Sequence, residues 1–229
     1  KRYKKRLLVH ISTDEVYGSL SKYGKKFTEL NKLDPSSPYA SSKASSDLLF
    51  LSWQKTYDLP IILTNCSNNY GPFQHPEKLI PNLIHRLINN NTLDIYGDGL
   101  NVRDWLHVDD HVAAIHRVIN KGKVGETYNV GGNNEKTNLE IVEKLIKLID
   151  KKTSNKKKDM RDNIRFVEDR PAHDIRYAVN ISKIKKHLDW KPMINFTQGL
   201  DKTVDWYLEF YNSKYFDKNY KLKRLGLNK

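Results

Sequence analysis

The sequence contains very little sulfur and no long apolar run. Cys66 is the only cysteine among 229 residues, and there are two methionines. A single cysteine excludes an internal disulfide and is typical of a reducing compartment, so we expect a cytoplasmic protein. No stretch approaches the roughly 20 apolar residues that a membrane-spanning helix needs. The basic residues 1–6 are not followed by the apolar region of a secretory signal. We therefore expect no membrane partner, and no metal site.

Positive charge is in clear excess. Lysine and arginine number 40 against 27 acidic residues, which gives a formal net charge of +13. Much of this excess lies in the polar segments 1–6, 151–158 and 221–229. These segments lack the interleaved arginine and aromatic residues of a nucleic-acid-binding surface, so we expect no nucleic-acid partner. An anionic substrate or cofactor suits a basic protein of this kind better.

The hydrophobic pattern of the first 71 residues predicts a parallel β/α arrangement. Short apolar strands are expected at 7–11 and 59–65, with a polar loop at 19–37 and a helix at 39–57 between them. A strand, a helix and a second strand in this order predict a parallel pair joined by a right-handed crossover. The helical spacing groups four side chains of the helix on one apolar face: Ala44, Leu48, Leu51 and Tyr57.

Beyond about residue 71 the elements follow a more mixed order, which predicts a smaller lobe merging with the sheet domain. Strands are expected at 93–96, 102–107, 126–130 and 164–167, and helices at 77–90, 108–121, 138–150, 181–188 and 196–211. Thr137 or Asn138 should cap the helix at 138–150, whose apolar residues are Leu139, Val142, Leu145, Ile146 and Ile149. A lysine-rich linker is expected at 153–162.

Residues 12–43 carry the candidate catalytic groups. Thr13, Asp14 and Glu15 directly follow the first strand, and ligands of open α/β sheets bind at the carboxyl ends of strands. Tyr39 and Lys43 are four residues apart and share one helix face. The ammonium should lower the pKa of the phenol, while the adjacent carboxyl groups should differ in pKa and give one proton donor and one acceptor. Each pair alone would suit a solvated surface, but their position after a buried strand favours catalysis.

The motifs of the chain resemble those of the nucleotide-sugar 4,6-dehydratases, in particular the branch that acts on dTDP-glucose, within the extended short-chain dehydrogenase/reductases. The matching segments are HISTDEVYG at 10–18, YASSK at 39–43, NCSNNYGP at 65–72, PEKLIP at 76–81, YGDG at 96–99, RDW at 103–105, NVGGNNE at 129–135 and DRPAHD at 169–174. The resemblance implies a Rossmann-like, doubly wound parallel sheet, of which the chain holds the C-terminal half, with a smaller mixed α/β substrate-binding lobe. It also implies a homodimer packed through helices that include the one that begins at Tyr39.

The same resemblance implies a division of catalytic roles. Tyr39, assisted by Lys43 and NAD, would deprotonate the sugar 4-hydroxyl while C4 gives its hydride to NAD. Glu15 would then remove the C5 proton, and Asp14 would protonate the departing 6-hydroxyl. Returning the hydride to C6 would leave a 4-keto-6-deoxy sugar nucleotide, and Thr13 would bond the 4-oxygen. Sugar 4-epimerases share the tyrosine and lysine but not the Asp-Glu pair, so this pair favours a dehydratase.

The resemblance also implies the residues that bind the two ligands. Tyr39, Lys43 and Asn69 are expected to contact NAD. Arg103 and Arg170 are expected at the diphosphate or nucleoside of dTDP-glucose or UDP-glucose, since arginine binds phosphate in a bidentate manner. The remaining predicted substrate-binding residues are Asn68, Lys78, Leu79, Tyr96, Asn138 and His173.

The chain departs from the family pattern because it contains no glycine-rich loop that opens a helix after a strand, the usual seat of the NAD pyrophosphate. We expect the chain to begin near the fourth strand of the sheet and to bind NAD weakly or not at all on its own. The predicted divisions are an NAD-binding part at 1–71, a mainly nucleotide-sugar-binding lobe at 72–212 with some segments returning to the sheet, and a basic tail at 213–229. A non-catalytic nucleotide-sugar-binding fragment and an NAD-dependent sugar epimerase remain alternatives.

Overall fold

The computed structural model describes residues 6–153 and 159–213, and these form an α/β protein. The strands are β1 (Leu8–Thr13), β2 (Ile61–Cys66), β3 (Asn68–Tyr70), β4 (Leu93–Tyr96), β5 (Val102–His107), β6 (Thr127–Val130), β7 (Glu135–Thr137) and β8 (Ile164–Val167). The helices are α1 (Pro38–Tyr57), α2 (Leu79–Ile88), α3 (Val108–Lys121), α4 (Asn138–Thr153), α5 (Ser182–Leu188) and α6 (Phe196–Asn212). Short 3₁₀ helices occupy Asp14–Tyr17 and Met160–Asn163. Within the described ranges, no helix has the length and apolar content needed to cross a bilayer.

The chain divides into two compact units that each use several segments. Unit 1 comprises Lys1–Asn69, Asn101–Lys136 and Pro171–Ile194, and unit 2 comprises Tyr70–Leu100, Thr137–Arg170 and Asn195–Lys229. Of the predicted linker at 153–162, residues 154–158 lie outside the described part, as does the predicted basic tail apart from Ser213.

Unit 1 contains a parallel sheet in the order β1-β2-β6. Leu8 pairs with Ile61 and Thr13 with Cys66, so β1 and β2 end side by side. The first strand extends two residues beyond its predicted end, and Thr13 is its last residue. Strand β2 is buried along nearly its whole length, which is typical of a parallel strand covered on both faces. The predicted parallel pairing of the first two strands is therefore confirmed.

Helix α1 begins and ends close to its predicted bounds, but it turns a different face inward. Its buried residues are Ala40, Ala44 and Asp47. Leu48 and Tyr57, which the helical spacing grouped with Ala44, are 58% and 63% exposed. The prediction of that apolar face is wrong because small residues let the helix approach the sheet closely, while a carboxylate takes the third inward position.

A second sheet in unit 1 has the order β3-β5-β7 and depends on a close turn after β6. Asp104 on β5 accepts hydrogen bonds from the backbone N–H groups of Gly132 at 3.0 Å and Asn134 at 2.6 Å. A Cβ atom on Gly132 would lie 1.9 Å from the carbonyl oxygen of Trp105, so only glycine fits there. The short strands β3 and β7 were not predicted from the sequence.

Unit 2 contains the parallel pair β4 and β8 together with helices α2, α4 and α6. Of the five apolar residues predicted for α4, Val142, Leu145, Ile146 and Ile149 are buried, as expected for an amphipathic helix. The N-terminus of α4 has a capping box: Thr137 Oγ1 accepts from the N–H of Glu140 at 3.1 Å, and Glu140 Oε2 accepts from the N–H of Thr137 at 2.8 Å. The predicted cap at Thr137 is confirmed.

Candidate active site

The turn after β1 places the predicted acidic pair at the carboxyl end of the parallel sheet. Thr13 caps the 3₁₀ helix that follows, and its Oγ1 accepts a hydrogen bond from the N–H of Glu15 at 3.3 Å. This bond fixes the turn, so Asp14 points inward and is 1% exposed, while Glu15 is half-buried. The turn therefore presents two neighbouring carboxyl groups in different environments.

The buried carboxyl group of Asp14 is shifted towards its protonated form. Burial, followed by the charges of Glu15 and Asp104, raises the pKa of Asp14 well above its usual range, and Arg103 opposes this in part. Asp14 Oδ2 has no hydrogen-bond partner among the described residues. A buried carboxyl group that keeps its proton is a suitable general acid. This is the proton donor that the sequence analysis expected from one member of the Asp14–Glu15 pair.

Helix α1 carries Tyr39 and Lys43 beside this turn. The helix begins at Pro38, after Ser37, whose Oγ accepts from the N–H of Ala40 at 3.1 Å. Tyr39 is 55% exposed, and Lys43 Nζ donates to the carbonyl oxygen of Ile11 on β1 at 2.9 Å. The phenol and the ammonium are thus held at the end of the strand that delivers the acids.

The pKa of Tyr39 moves in the direction opposite to the one predicted. Burial raises it first, and the charges of Glu15, Cys66 and Asp14 raise it further. The prediction of a lowered pKa is wrong for the chain's own groups, because burial, and then the nearby carboxylates, disfavour the phenolate, while the ammonium of Lys43 bonds a backbone carbonyl. The same causes indicate that Tyr39 and the acidic pair share one site.

Asp47 was missed by the sequence analysis although it lies in the same region. It is 2% exposed and contacts three side chains of the two strands: Ser12, Asn65 and His10. The available signal was its spacing, four residues after Lys43 and eight after Tyr39. An acidic residue on the inward face of a helix is uncommon enough to merit attention.

The remaining predicted ligand-binding residues of unit 1 lie on β3, on β5 and in the loop that contains His173. Asn68 and Asn69 belong to β3, and Asn69 Nδ2 donates to the carbonyl oxygen of Ser67 at 3.1 Å. Arg103 is 8% exposed, and it donates to the carbonyl oxygen of Asp174 at 3.0 Å. Its guanidinium carbon lies 4.4 Å from the ring centre of Tyr177, a contact that was not predicted. His173 is half-buried next to Asp174.

The other five predicted substrate-binding residues belong to unit 2. Tyr96 ends β4, and the guanidinium carbon of Arg170 lies 5.6 Å from its ring centre. Asn138 begins α4, and the N–H of the next residue, Leu139, donates to the carbonyl oxygen of Gly99 at 3.1 Å. The structure therefore gathers Tyr96 with Arg170, while Lys78 and Leu79 lie at the N-terminus of α2.

Comparison with known proteins identifies the class to which this fold and site belong. A family model described as GDP-mannose 4,6 dehydratase matches residues 1–203, and the chain belongs to this family. Its structural neighbours confirm the predicted Rossmann-like α/β fold. A UDP-glucuronic acid 4-epimerase from Bacillus cereus is also similar in fold, at 28% identity with a TM-score of 0.79, over 89% of this chain and 62% of the epimerase.

Within the family, the chain is similar to dTDP-glucose 4,6-dehydratases, which confirms the resemblance of its motifs. The enzyme of Neisseria meningitidis is 49% identical over 225 residues, which cover 96% of this chain and 63% of the relative. The enzyme of Haemophilus influenzae is 52% identical over 202 residues, which cover 87% of this chain and 60% of the relative. The chain thus spans slightly less than two thirds of the length of these curated relatives.

A solved structure of dTDP-glucose 4,6-dehydratase from Bacillus anthracis in complex with NAD is 54% identical, with a TM-score of 0.82. The match covers 90% of this chain and 62% of that one. The corresponding enzyme of Streptomyces venezuelae, also with NAD bound, is 45% identical with a TM-score of 0.82. The match covers 89% of this chain and 60% of that one.

Proposed function

We propose that the protein is a dTDP-glucose 4,6-dehydratase that uses NAD as a catalytic cofactor. The observation that carries this proposal is the pair Asp14 and Glu15, a buried carboxyl group with a raised pKa beside a half-buried one. Eliminating water from a sugar needs one group that gives a proton and one that takes a proton, and this pair supplies both. The similarity to dTDP-glucose 4,6-dehydratases supports the same conclusion.

At the carboxyl ends of the parallel strands, the polar side chains fit the nicotinamide end of NAD. A half-exposed phenol, an ammonium and an amide lie there on Tyr39, Lys43 and Asn69, and such polar groups suit the nicotinamide half of NAD. Held there, NAD would supply reversible hydride transfer, by which C4 of the sugar loses a hydride and C6 gains it. The chain's own residues would orient the cofactor and move the protons.

In the proposed reaction Tyr39 Oη takes the proton of the 4-hydroxyl, and Thr13 Oγ1 bonds the 4-oxygen. Since burial and the nearby acids raise the pKa of Tyr39, the phenolate would be favoured by the positive charges of Lys43 and the bound cofactor. Glu15 takes the C5 proton once C4 is a ketone. Asp14 then gives its proton to the departing 6-hydroxyl.

Nucleotide-sugar recognition is proposed for two groups of residues. In unit 1 the proposed nucleotide-sugar-binding residues are Arg103, Asn68 and His173. In unit 2 they are Lys78, Leu79, Tyr96, Asn138 and Arg170. The division of 1–71 for NAD and 72–212 mainly for the nucleotide sugar is part of the same proposal. Nucleic-acid and membrane partners are not proposed, and the proposed location is the cytoplasm.

We also propose a homodimer that packs through α1. Support comes from exposed apolar side chains on this helix, with Leu48, Leu49 and Trp53 exposed by 58%, 60% and 50%. Leu49→Lys should therefore produce a monomer in light scattering. Leu100→Lys, which changes an equally apolar and 53% exposed residue, should leave the dimer intact.

Turnover of dTDP-glucose tests the proposed activity. A form of the protein that also carries a glycine-rich NAD-binding loop, incubated with NAD and dTDP-glucose, should form a 4-keto-6-deoxy product that mass spectrometry detects as the loss of one water. Tyr39→Phe, Asp14→Asn and Glu15→Gln should each abolish product, whereas Glu209→Gln, on an exposed side chain, should not. Binding of dTDP without turnover would favour the nucleotide-sugar-binding alternative. Unchanged turnover by Glu15→Gln would refute the mechanism, and a 4-epimer product would favour the epimerase.

A further inference from the structure

A buried carboxylate connects the two elements that carry the predicted catalytic residues. Asp47 Oδ2 accepts hydrogen bonds from Ser12 Oγ at 2.9 Å and from Asn65 Nδ2 at 3.2 Å. Its Oδ1 lies 2.9 Å from His10 Nε2. All four side chains belong to unit 1, and both oxygens of the carboxylate are engaged. One group on α1 is thereby tied to β1 and to β2.

The partners of Asp47 lie next to the proposed proton-transfer groups. Ser12 directly precedes the segment Thr13 to Glu15, and Asp47 is one turn beyond Lys43 and two turns beyond Tyr39 on the same face of α1. Lys43 makes its own bond to the backbone of β1, at Ile11. The polar contacts centred on Asp47 therefore help to set the separation between the phenol on the helix and the acids at the strand end, alongside the stacking of His10 on Phe50.

A second buried aspartate in unit 1, Asp110, serves as a comparison for Asp47. Asp110 on α3 is 5% exposed and accepts from the backbone N–H groups of Met193 at 3.0 Å and Ile194 at 2.9 Å. Its bonds fasten a loop and involve none of the predicted catalytic residues. Asp47 has a similar burial and a similar number of bonds, but its partners are side chains at the strand ends. Satisfied buried networks of this kind rigidify the groups that they join.

We propose that Asp47 is a positioning residue for the reaction, which holds Tyr39 and Lys43 in register with Thr13, Asp14 and Glu15. This inference rests on the proposed function for its catalytic consequence, but the positional consequence can be measured without any turnover. Asp47→Asn retains the volume of the side chain and offers only one acceptor oxygen. Its NH₂ group cannot accept a hydrogen bond, so at least one of the three bonds that the carboxylate accepts is lost or reversed and the link between α1 and the strands is weakened.

Hydrogen–deuterium exchange on the purified protein tests the positional part. Asp47→Asn should increase exchange in two separate segments together, the first turns of α1 and the turn at 13–17. Asp110→Asn should increase exchange around 193–195 and leave both of those segments unchanged. Parental exchange at 13–17 in Asp47→Asn would overturn the proposal, whether or not the protein turns over dTDP-glucose.

Kinetics test the catalytic part. Misplacing reacting groups by about 1 Å can lower a rate on the order of 100-fold, so Asp47→Asn should lower kcat by about this factor with little change in KM. The isotope effect from substrate deuterated at C4 should rise, because oxidation at C4 becomes slower. Asp110→Asn should keep the parental kcat and isotope effect even if it unfolds more easily.

Ser12→Ala keeps the proposal falsifiable if Asp47→Asn does not fold. It removes a single hydroxyl from the network and should lower kcat in the same direction by a smaller factor. A parental kcat and isotope effect in Ser12→Ala, or a rise of KM alone in either variant, would overturn a positioning role. A parent that binds NAD and dTDP-glucose but is inactive, with coupled exchange changes in Asp47→Asn, would instead refute the proposed function and leave the positional link supported.

Discussion

At the scale of single residues, Asp14 combines burial with two acidic neighbours. Its folded-state pKa is raised above the unfolded value, so stability falls as pH rises from the ordinary aspartate range through the folded pKa. We expect Asp14→Asn to be more stable than the parent at neutral pH, by on the order of 1 kcal/mol, because the folded parent must hold a proton that the unfolded chain releases at that pH. The gain should shrink as pH falls below the ordinary aspartate pKa.

Urea unfolding at several pH values measures this difference. Asp109→Asn, on a carboxylate whose side chain is 76% exposed, is the control and should change stability little at any pH. An Asp14→Asn variant that is less stable than the parent throughout the range would contradict a raised pKa. The expected pattern, more stable and inactive, is that of a residue kept for catalysis at the expense of stability.

Tyr39 and Glu15 should be coupled in titration. Because the carboxylate of Glu15 raises the pKa of the phenol, Glu15→Gln should lower that pKa. A ¹³C-tyrosine NMR titration of the purified protein measures it. Asp58→Asn removes a carboxylate at the opposite end of α1, where the left-handed conformation tolerates asparagine, and should leave the Tyr39 titration unchanged. Equal shifts in both variants would mean that Glu15 has no specific influence on Tyr39.

At the scale of elements, the capping box of α4 links local sequence to stability. Thr137→Ala removes the acceptor for the N–H of Glu140 and should destabilise the protein by about 1 kcal/mol, the usual loss for such a cap. Thr153→Ala removes a hydroxyl that donates to the carbonyl of Ile149 in the same helix, and should stay within about 0.5 kcal/mol of the parent. Thermal unfolding measures the stability of both variants. A loss in Thr137→Ala alone would show that the effect comes from the cap and not from the removal of a threonine as such.

At the scale of the whole molecule, the net charge of +13 should raise the affinity for anions. We expect dTDP to bind severalfold more weakly as ionic strength rises past about 0.1 M, where the Debye length is about 10 Å. Thymidine carries no diphosphate, so its affinity should change little. Calorimetry with both ligands at several salt concentrations measures this, and an equal loss for thymidine would show that the charge does not act through the diphosphate.

The sequence by itself determined the elements and the catalytic segment. The bounds of α3 were predicted without error, and β1 and α1 within about two residues, because hydrophobic periodicity is a local property of the chain. The position of Thr13, Asp14 and Glu15 after a parallel strand, and of Tyr39 and Lys43 on the next helix, followed from the same pattern. So did the family, because its motifs are contiguous. The prediction that the strand before Thr13 is buried is wrong, since Leu8 and Ile11 are 47% and 43% exposed.

Only the tertiary structure decided how these groups affect one another. Asp47 is buried because donors from β1 and β2 surround it, and Ser12 lies 35 residues away from it in the chain. The pKa of Tyr39 is raised rather than lowered because the side chain is partly buried and the charges of Glu15 and Asp14 disfavour the phenolate, while Lys43 bonds a backbone carbonyl. Burial and charge depend on neighbours that are distant in sequence, and no periodicity within one helix or strand records them.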